Sequence, residues 1–362
     1  MIRVLQISMG DYFRGAEKQQ LEVFKNIDKS IKFDFLSNNS DKYNNCIDEI
    51  EKLGGKVYSL DCNRKGFFNK IKYNRKLSKF LKTHKYNIIH INSSAFFYIL
   101  NVLFIAKRRK VKKIVVHSHS VPKMSIFKKI LISIFKPLLM LLTDEYLTCS
   151  KDAIKPVFIN NKKIKIIKNG IDIDKFKYNE GLRNKNRKKL KIDEKIVYGH
   201  IGGFDKNKNH LFLIELFNEL LKINSNSILL LIGEGKEEEN IKKKIKELKI
   251  NDKVLFLGYI NNMNEIINTF DYFIFPSISE GLGIVAIESQ TNGVITFVSD
   301  TIPKEVDISS NLYRFNLNDS KKELANRIYK TKIKNRKNAY KYTIESGYDI
   351  KEVVKEYEVI YK

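Results

Sequence analysis

Phe275-Pro-Ser-Ile-Ser-Glu280-Gly-Leu-Gly-Ile-Val-Ala-Ile-Glu288 carries an apolar run into a helical one through a loop with one carboxylate and two glycines. The run before it reads as a buried strand ending at Pro276, and Ile284–Asn292 reads as the helix. Gly281 and Gly283 let the backbone approach a ligand closely where that helix begins, with Leu282 between them. The unpaired amides of a helix start, at the positive end of its dipole, suit a phosphate or diphosphate. Glu288 lies five residues beyond Gly283, about 7.5 Å along the helix at 1.5 Å per residue. A carboxylate at that distance can accept hydrogen bonds from ribose hydroxyls, while Glu280 can hold hydroxyls of whatever the diphosphate carries. The geometry is that of a nucleotide-sugar site.

The same strand-to-helix grammar repeats outward in both directions and specifies parallel sheets covered by helices on both faces, an α/β chain. Strands are expected near residues 2–8, 32–36, 56–60, 87–91, 113–117, 145–148 and 164–167, and again near 196–201, 228–232, 254–257, 272–275 and 294–298. Between Lys168 and Glu194 the alternation pauses in polar, turn-rich text, which reads as an interdomain crossing. Two doubly wound Rossmann-like domains follow, residues 1–168 and 196–345, with 169–195 as linker. Residues 346–362 read as an amphipathic helix that can return to the first domain. Ligands of such sheets bind beyond the carboxyl ends of the strands, so a cleft between two facing domains is the expected site.

Three further segments belong to that expectation. Tyr198-Gly-His-Ile-Gly-Gly-Phe-Asp-Lys-Asn-Lys208-Asn209-His210 runs from strand to helix and offers Lys208 to a phosphate, with Asn209 as a helix cap. Gly15, in Arg14-Gly15-Ala16-Glu17, opens a helix after the first strand, but no complete G-x-G-x-x-G is present. His90, with Asn92 beside it, and His117 and His119 fall at strand ends and place polar groups at the expected cleft rim. No Asp, Glu or Cys accompanies His117-Ser-His119 at ligand spacing, so substrate hydrogen bonding or structural capping is expected there and no metal site.

The 362 residues carry 67 Lys+Arg against 41 Asp+Glu, a net +26. That balance points to polyanions such as nucleic acid, anionic lipid or phosphate-bearing substrates. The excess concentrates between Asn101 and Lys168, with 16 basic and 3 acidic residues. Within it, Val121–Leu142 alternates Lys123, Lys128, Lys129 and Lys136 with apolar residues, as a helix on an anionic surface would. A core helix with a lysine face has the same pattern. The apolar run from Ile130 to Leu142 is interrupted by Lys136-Pro137 and is too short to cross a bilayer. Cys46, Cys62 and Cys149 form no metal spacing or disulfide framework and read as reduced thiols. The N-terminus turns polar too early for a secretory signal. A cytoplasmic protein, peripheral on the inner face of the cell membrane, is expected.

In their order, these motifs resemble the retaining glycosyltransferases of family 4, with the GT-B fold, of the bacterial capsular and exopolysaccharide type. Glu280 and Glu288 match an E-x7-E motif within Pro-Ser-x-x-Glu-Gly. Further matches are Lys208-Asn-His210, Gly233-Glu-Gly235, Phe256-Leu-Gly258, Ser299-Asp-Thr-Ile-Pro-Lys-Glu305, Asn169-Gly-Ile-Asp172 and Gly15-Ala-Glu17. The resemblance implies that Glu288 holds the ribose, Glu280 the donor sugar and Lys208 the diphosphate. It implies backbone contacts from Gly15, Gly281, Leu282 and Gly283, and places His119, with His117 beside it, toward the reacting sugar. It implies no metal cofactor, Lys208 and helix amides replacing a divalent ion. Gly203 stands where the family usually has an arginine, which removes a charged phosphate contact. The expected reaction transfers sugar from a nucleotide-diphosphate sugar, foremost a UDP-sugar, to a lipid-linked saccharide acceptor. A sugar-nucleotide epimerase shares the fold, Gly203 admits a catalytically weak scaffold, and a basic nucleic-acid-binding protein would account for the charge. No recognised nucleic-acid module is present, so no nucleic-acid partner is expected.

Overall fold

A computed structural model describes residues 1–8, 15–62, 64, 66–122, 124–260, 262–332 and 335–362. The chain divides into two units, Met1–Gly170 with Tyr348–Lys362, and Ile171–Gly347. The expected loop positions Lys123 and residues 9–14 lie outside the described residues.

The first unit holds strands β1 (Ile2–Ser8), β2 (Ile31–Ser37), β3 (Val57–Ser59), β4 (Ile88–Asn92), β5 (Lys113–Ser118), β6 (Glu145–Thr148) and β7 (Ile164–Ile166). All pair in parallel in the order β3-β2-β1-β4-β5-β6-β7. Successive side chains leave a strand on opposite faces, and each face here has its own core. Leu5, Ile7, Ile89, Ile91 and Val116 pack with helices Phe67–Thr83, Phe96–Arg108 and Ile126–Leu142. Val4, Phe33, Phe35, Ile88 and Val115 pack with helices Gly15–Asn26 and Ile350–Tyr361. The C-terminal helix therefore covers the first sheet: Val353, Val354, Tyr357, Ile360 and Tyr361 are all buried. Gly170 is part of that seam, because a Cβ there would come within 2.7 Å of the Ile350 side chain.

The second unit holds β8 (Ile196–Ile201), β9 (Ser227–Ile232), β10 (Val254–Phe256), β11 (Tyr272–Phe275), β12 (Ile295–Ser299) and β13 (Leu312–Phe315), parallel in the order β10-β9-β8-β11-β12-β13. Strand order reverses between β1 and β4 in the first sheet and between β8 and β11 in the second. A crevice at the carboxyl ends of two such neighbours is where ligands of open α/β sheets bind.

The segment read as a polar linker, 169–195, is not one. It folds as helices Ile173–Phe176 and Glu180–Leu190 and belongs almost entirely to the second unit. Its basic residues are anchors: Arg183 donates to the carbonyls of Asn268, Thr269 and Phe270 and pairs with Asp271 at 2.5 Å, and Arg187 pairs with Asp271 at 3.2 Å. Arg336 completes the cluster on the carbonyls of Phe270 and Asn292. Burial, with the charge of Arg183 beside it, pulls its guanidinium down to about 9.

The helix expected over Val121–Leu142 starts at Ile126, capped by Ser125, and continues through Pro137. A proline inside a helix removes one backbone donor, and this one does not end the helix.

Candidate nucleotide-sugar site

In the second unit the switch point brings the loops after β8 and β11 together. Ile278 N donates to Asn207 O at 2.8 Å, and Asn207 Nδ2 donates to Ser279 O at 2.5 Å. Lys208 Nζ reaches Glu280 Oε1 at 2.5 Å and lies 4.8 Å from the centre of the Phe275 ring. Both side chains are mostly shielded, at 18% and 15% exposure. An ammonium has three donors, and Glu280 takes one of them. Asp205 sets the lysine in place by accepting from the amides of Asn207 and Lys208. Asn209, expected to cap the following helix, instead adopts a left-handed conformation with φ 56° and makes no side-chain cap.

Gly281, Leu282 and Gly283 lead into helix Ile284–Thr291, whose Val285–Thr291 are all buried. Gly283 has φ 88°, and a Cβ on it would sit 3.2 Å from the Phe275 ring and 3.3 Å from Ile302. Here glycine is required both by backbone conformation and by space. Ser277 O, just before the loop, accepts from Ser299 Oγ at 2.6 Å and Thr301 Oγ1 at 2.7 Å, so β12 and the turn after it hold the loop's base. Leu282 and Glu288 are buried. The Gly233-Glu-Gly235 motif works through close approach: Cβ atoms there would lie 2.1 Å from Gly202 O and 2.4 Å from Phe204 O. Phe204 N donates to Glu234 O at 2.9 Å, which fixes the loop carrying Gly203. At Gly203 itself a Cβ would meet nothing nearer than 3.7 Å, so a side chain fits.

The remaining predicted residues lie in the first unit. Gly15 is exposed at the start of its helix, and a Cβ there would touch nothing within 4 Å, so packing does not dictate glycine. His117 is fully buried and His119 half-buried, their ring centres 3.9 Å apart. His90 stacks on His117 at 5.5 Å. Burial holds His90 and His117 well below the usual histidine range, and their neighbouring imidazoles push the same way. Burial lowers His119 to about 4, against an opposing pull from Glu17. All three rings are neutral at physiological pH. Asn92, which the sequence places with the strand-end histidines, donates at 2.8 Å to Gln6, which sequence reading did not single out. The signal for Gln6 is a polar residue at an inward position of an apolar strand.

The two halves of the chain match two family profiles in succession: Glycosyltransferase Family 4 over residues 41–175 and Glycosyl transferases group 1 over residues 183–349. The chain is a glycosyltransferase that carries a family 4 domain followed by a group 1 domain. It is 27% identical over 317 residues to the putative glycosyltransferase EpsF of Bacillus subtilis, covering 84% of this chain and 81% of that one. It is 25% identical over 309 residues to the capsular polysaccharide biosynthesis glycosyltransferase CapH of Staphylococcus aureus, covering 83% and 82%. In fold it matches Alr3699/HepE of Anabaena, solved in complex with UDP-glucose, with a TM-score of 0.81 at 15% identity over 99% of each chain. This glycosyltransferase has the GT-B class of fold.

Proposed function

We propose that this glycosyltransferase moves a sugar, with retention of anomeric configuration, from a UDP-sugar to a lipid-linked saccharide at an anionic membrane face. The observation that carries the donor half is the pairing of Lys208 with Glu280 at the start of helix Ile284–Thr291, over the switch point of the second sheet. Lys208 and the helix amides receive the diphosphate, Gly281, Leu282 and Gly283 supply close backbone contacts, Glu288 holds the ribose and Glu280 the sugar. Gly15 leaves room for the donor, and His119, backed by His117, contacts the reacting sugar. As the bond from the anomeric carbon to the diphosphate oxygen breaks, charge develops on that oxygen, where fixed cations and amides stabilise it most. These groups take the role a divalent ion has elsewhere, so the enzyme works without metal. The acceptor hydroxyl forms its bond on the face the diphosphate leaves, and its proton passes to the departing diphosphate.

The acceptor half rests on helix Ile126–Leu142. Ile126, Phe127, Ile130, Ile134 and Leu141 are between 58% and 80% exposed, with Lys128 and Lys129 among them. Apolar side chains interleaved with lysines favour an anionic bilayer surface over water or nucleic acid. Among the described residues no helix is long and apolar enough to cross a membrane, so this contact is with the surface. The enzyme then works from the cytoplasmic side, where lipid-linked intermediates are built.

Thermal unfolding of the purified protein with UDP, GDP, ADP and their sugar conjugates tests the donor reading. The matching nucleotide at a hundredfold excess over its Kd adds roughly 2.7 kcal/mol, an upward shift in Tm of about 5–10 °C. Glu288→Ala should abolish that shift; a variant responding like the parent removes Glu288 from the site, and no shift with any nucleotide contradicts the reading.

A further inference from the structure

A line of hydrogen bonds in the first unit starts on the C-terminal helix and ends on His119. Tyr361 Oη lies 2.6 Å from His90 Nδ1 and receives Gln6 Nε2 at 3.3 Å. Asn92 Nδ2 donates to Gln6 Oε1 at 2.8 Å, and Asn92 Oδ1 faces His119 Nε2 at 3.1 Å. Strand register fixes the spacing, pairing Gln6 with His90 across β1 and β4, and Asn92 with His117 across β4 and β5. Gln6, His90, Asn92 and Tyr361 are all at least nine-tenths buried, so water does not compete for these bonds.

The line has a direction. A phenol has one proton to give, and a carboxamide presents oxygen on one side and an NH2 group on the other. With the Asn92 NH2 on Gln6, its oxygen is left for His119, and an acceptor there requires the proton on Nε2. With the Gln6 NH2 on the Tyr361 oxygen, the phenol proton is left for His90 Nδ1. We infer that Tyr361, Gln6 and Asn92 are positioning residues that lock His119 as the Nε2–H tautomer, leaving Nδ1 as an acceptor for a sugar hydroxyl. This deepens the proposed function and rests on its reading that His119 contacts the sugar. His119 Nδ1 is buried and has no hydrogen-bond partner among the described residues, a state that costs free energy until a donor arrives. A hydroxyl can supply that donor and an ionised phosphate oxygen cannot. Among the described residues the titratable groups against His119 are Glu17, His117 and His90, and both neighbouring imidazoles are neutral. A sugar lacking the hydroxyl that meets Nδ1 is therefore a poorer donor.

Turning both amides over gives the opposite line, with the His119 proton on Nδ1. Long-range proton–nitrogen correlation spectra of the full chain, with ring-15N histidine, distinguish the two at neutral pH; loss of signals in His119→Gln assigns the residue. The expected spectrum shows a protonated Nε2 and an unprotonated Nδ1. Tyr361→Phe removes the phenol proton and should shift the signals toward a mixture of tautomers. Asn92→Asp keeps an acceptor on Nε2 and adds a charge, raising the His119 titration midpoint by roughly 1–3 pH units; a packing role alone would move neither signature. A proton on Nδ1 in the parent protein overturns the inference, as does a folded Tyr361→Phe variant with an unchanged His119 spectrum. Failure of the underlying reading shows separately: a His119→Ala variant with undiminished transfer would take the sugar away from His119 whatever the spectrum.

Discussion

At Gly203, where the sequence resemblance implies an arginine, the surrounding space admits a side chain. The nearest atoms to a Cβ there are Glu234 O at 3.7 Å and Asp205 Oδ2 at 3.9 Å. In the proposed donor site glycine withholds a cation from the diphosphate and leaves Lys208 to act beside a carboxylate that offsets part of its charge. Gly203→Arg should raise kcat/KM roughly ten- to a hundredfold, as a charge-assisted contact to phosphate is worth on the order of 1.5–3 kcal/mol; steady-state kinetics that are unchanged or lower would count against a missing cation at this position. The residues of the proposed donor site stand out in sequence because they cluster at strand-to-helix junctions. Gln6 does not, because its partner Tyr361 lies 355 residues away in sequence.

Helices show most clearly what a sequence pattern does and does not convey. The apolar spacing of Ile126–Leu142 marked a helix and left open whether it serves core or surface; the helix buries Ile132 and Leu139 in the core and leaves Ile130 and Ile134 exposed, without cover within the described chain. Replacing both with aspartate should therefore leave Tm nearly unchanged while sharply reducing flotation with anionic liposomes, since each carries apolar area and sits among lysines. Undiminished flotation would place the membrane contact elsewhere. The opposite error came at residues 173–190, where polar composition suggested a linker. Arg183 and Arg187 within it satisfy the carbonyls preceding β11 and the buried Asp271. Composition alone cannot report a charge whose partner is some eighty residues further along the chain.

Across the whole molecule, five of the six histidines, His90, His117, His119, His200 and His210, are held below the usual histidine range, chiefly by burial. In the unfolded chain each binds a proton near pH 6.5, whereas the folded forms of His119 and His210 do so only at about 4. The unfolded state thus takes up more protons as pH falls below about 6.5, and stability is lost progressively from there toward pH 4. His210, 3% exposed, accounts for on the order of 2 kcal/mol of this loss. Urea midpoints should decline between pH 6.5 and 5, above the range where most carboxylates titrate; a flat profile there would mean these rings gain partners or water on protonation.

The parallel sheets were legible because buried strands alternate with helical text from one end of the chain to the other. The return of Ile350–Tyr361 to the first sheet was expected as a possibility and not fixed by sequence, because its apolar stripe fits any sheet face. Both sheets place their switch points where the sequence places its glycines, histidines and paired glutamates. The most direct measurement is a crystal structure with UDP bound. The diphosphate should lie against the amides of Gly281–Gly283 at the start of helix Ile284–Thr291, within reach of Lys208, with the ribose on Glu288. UDP bound away from that helix start would contradict the account.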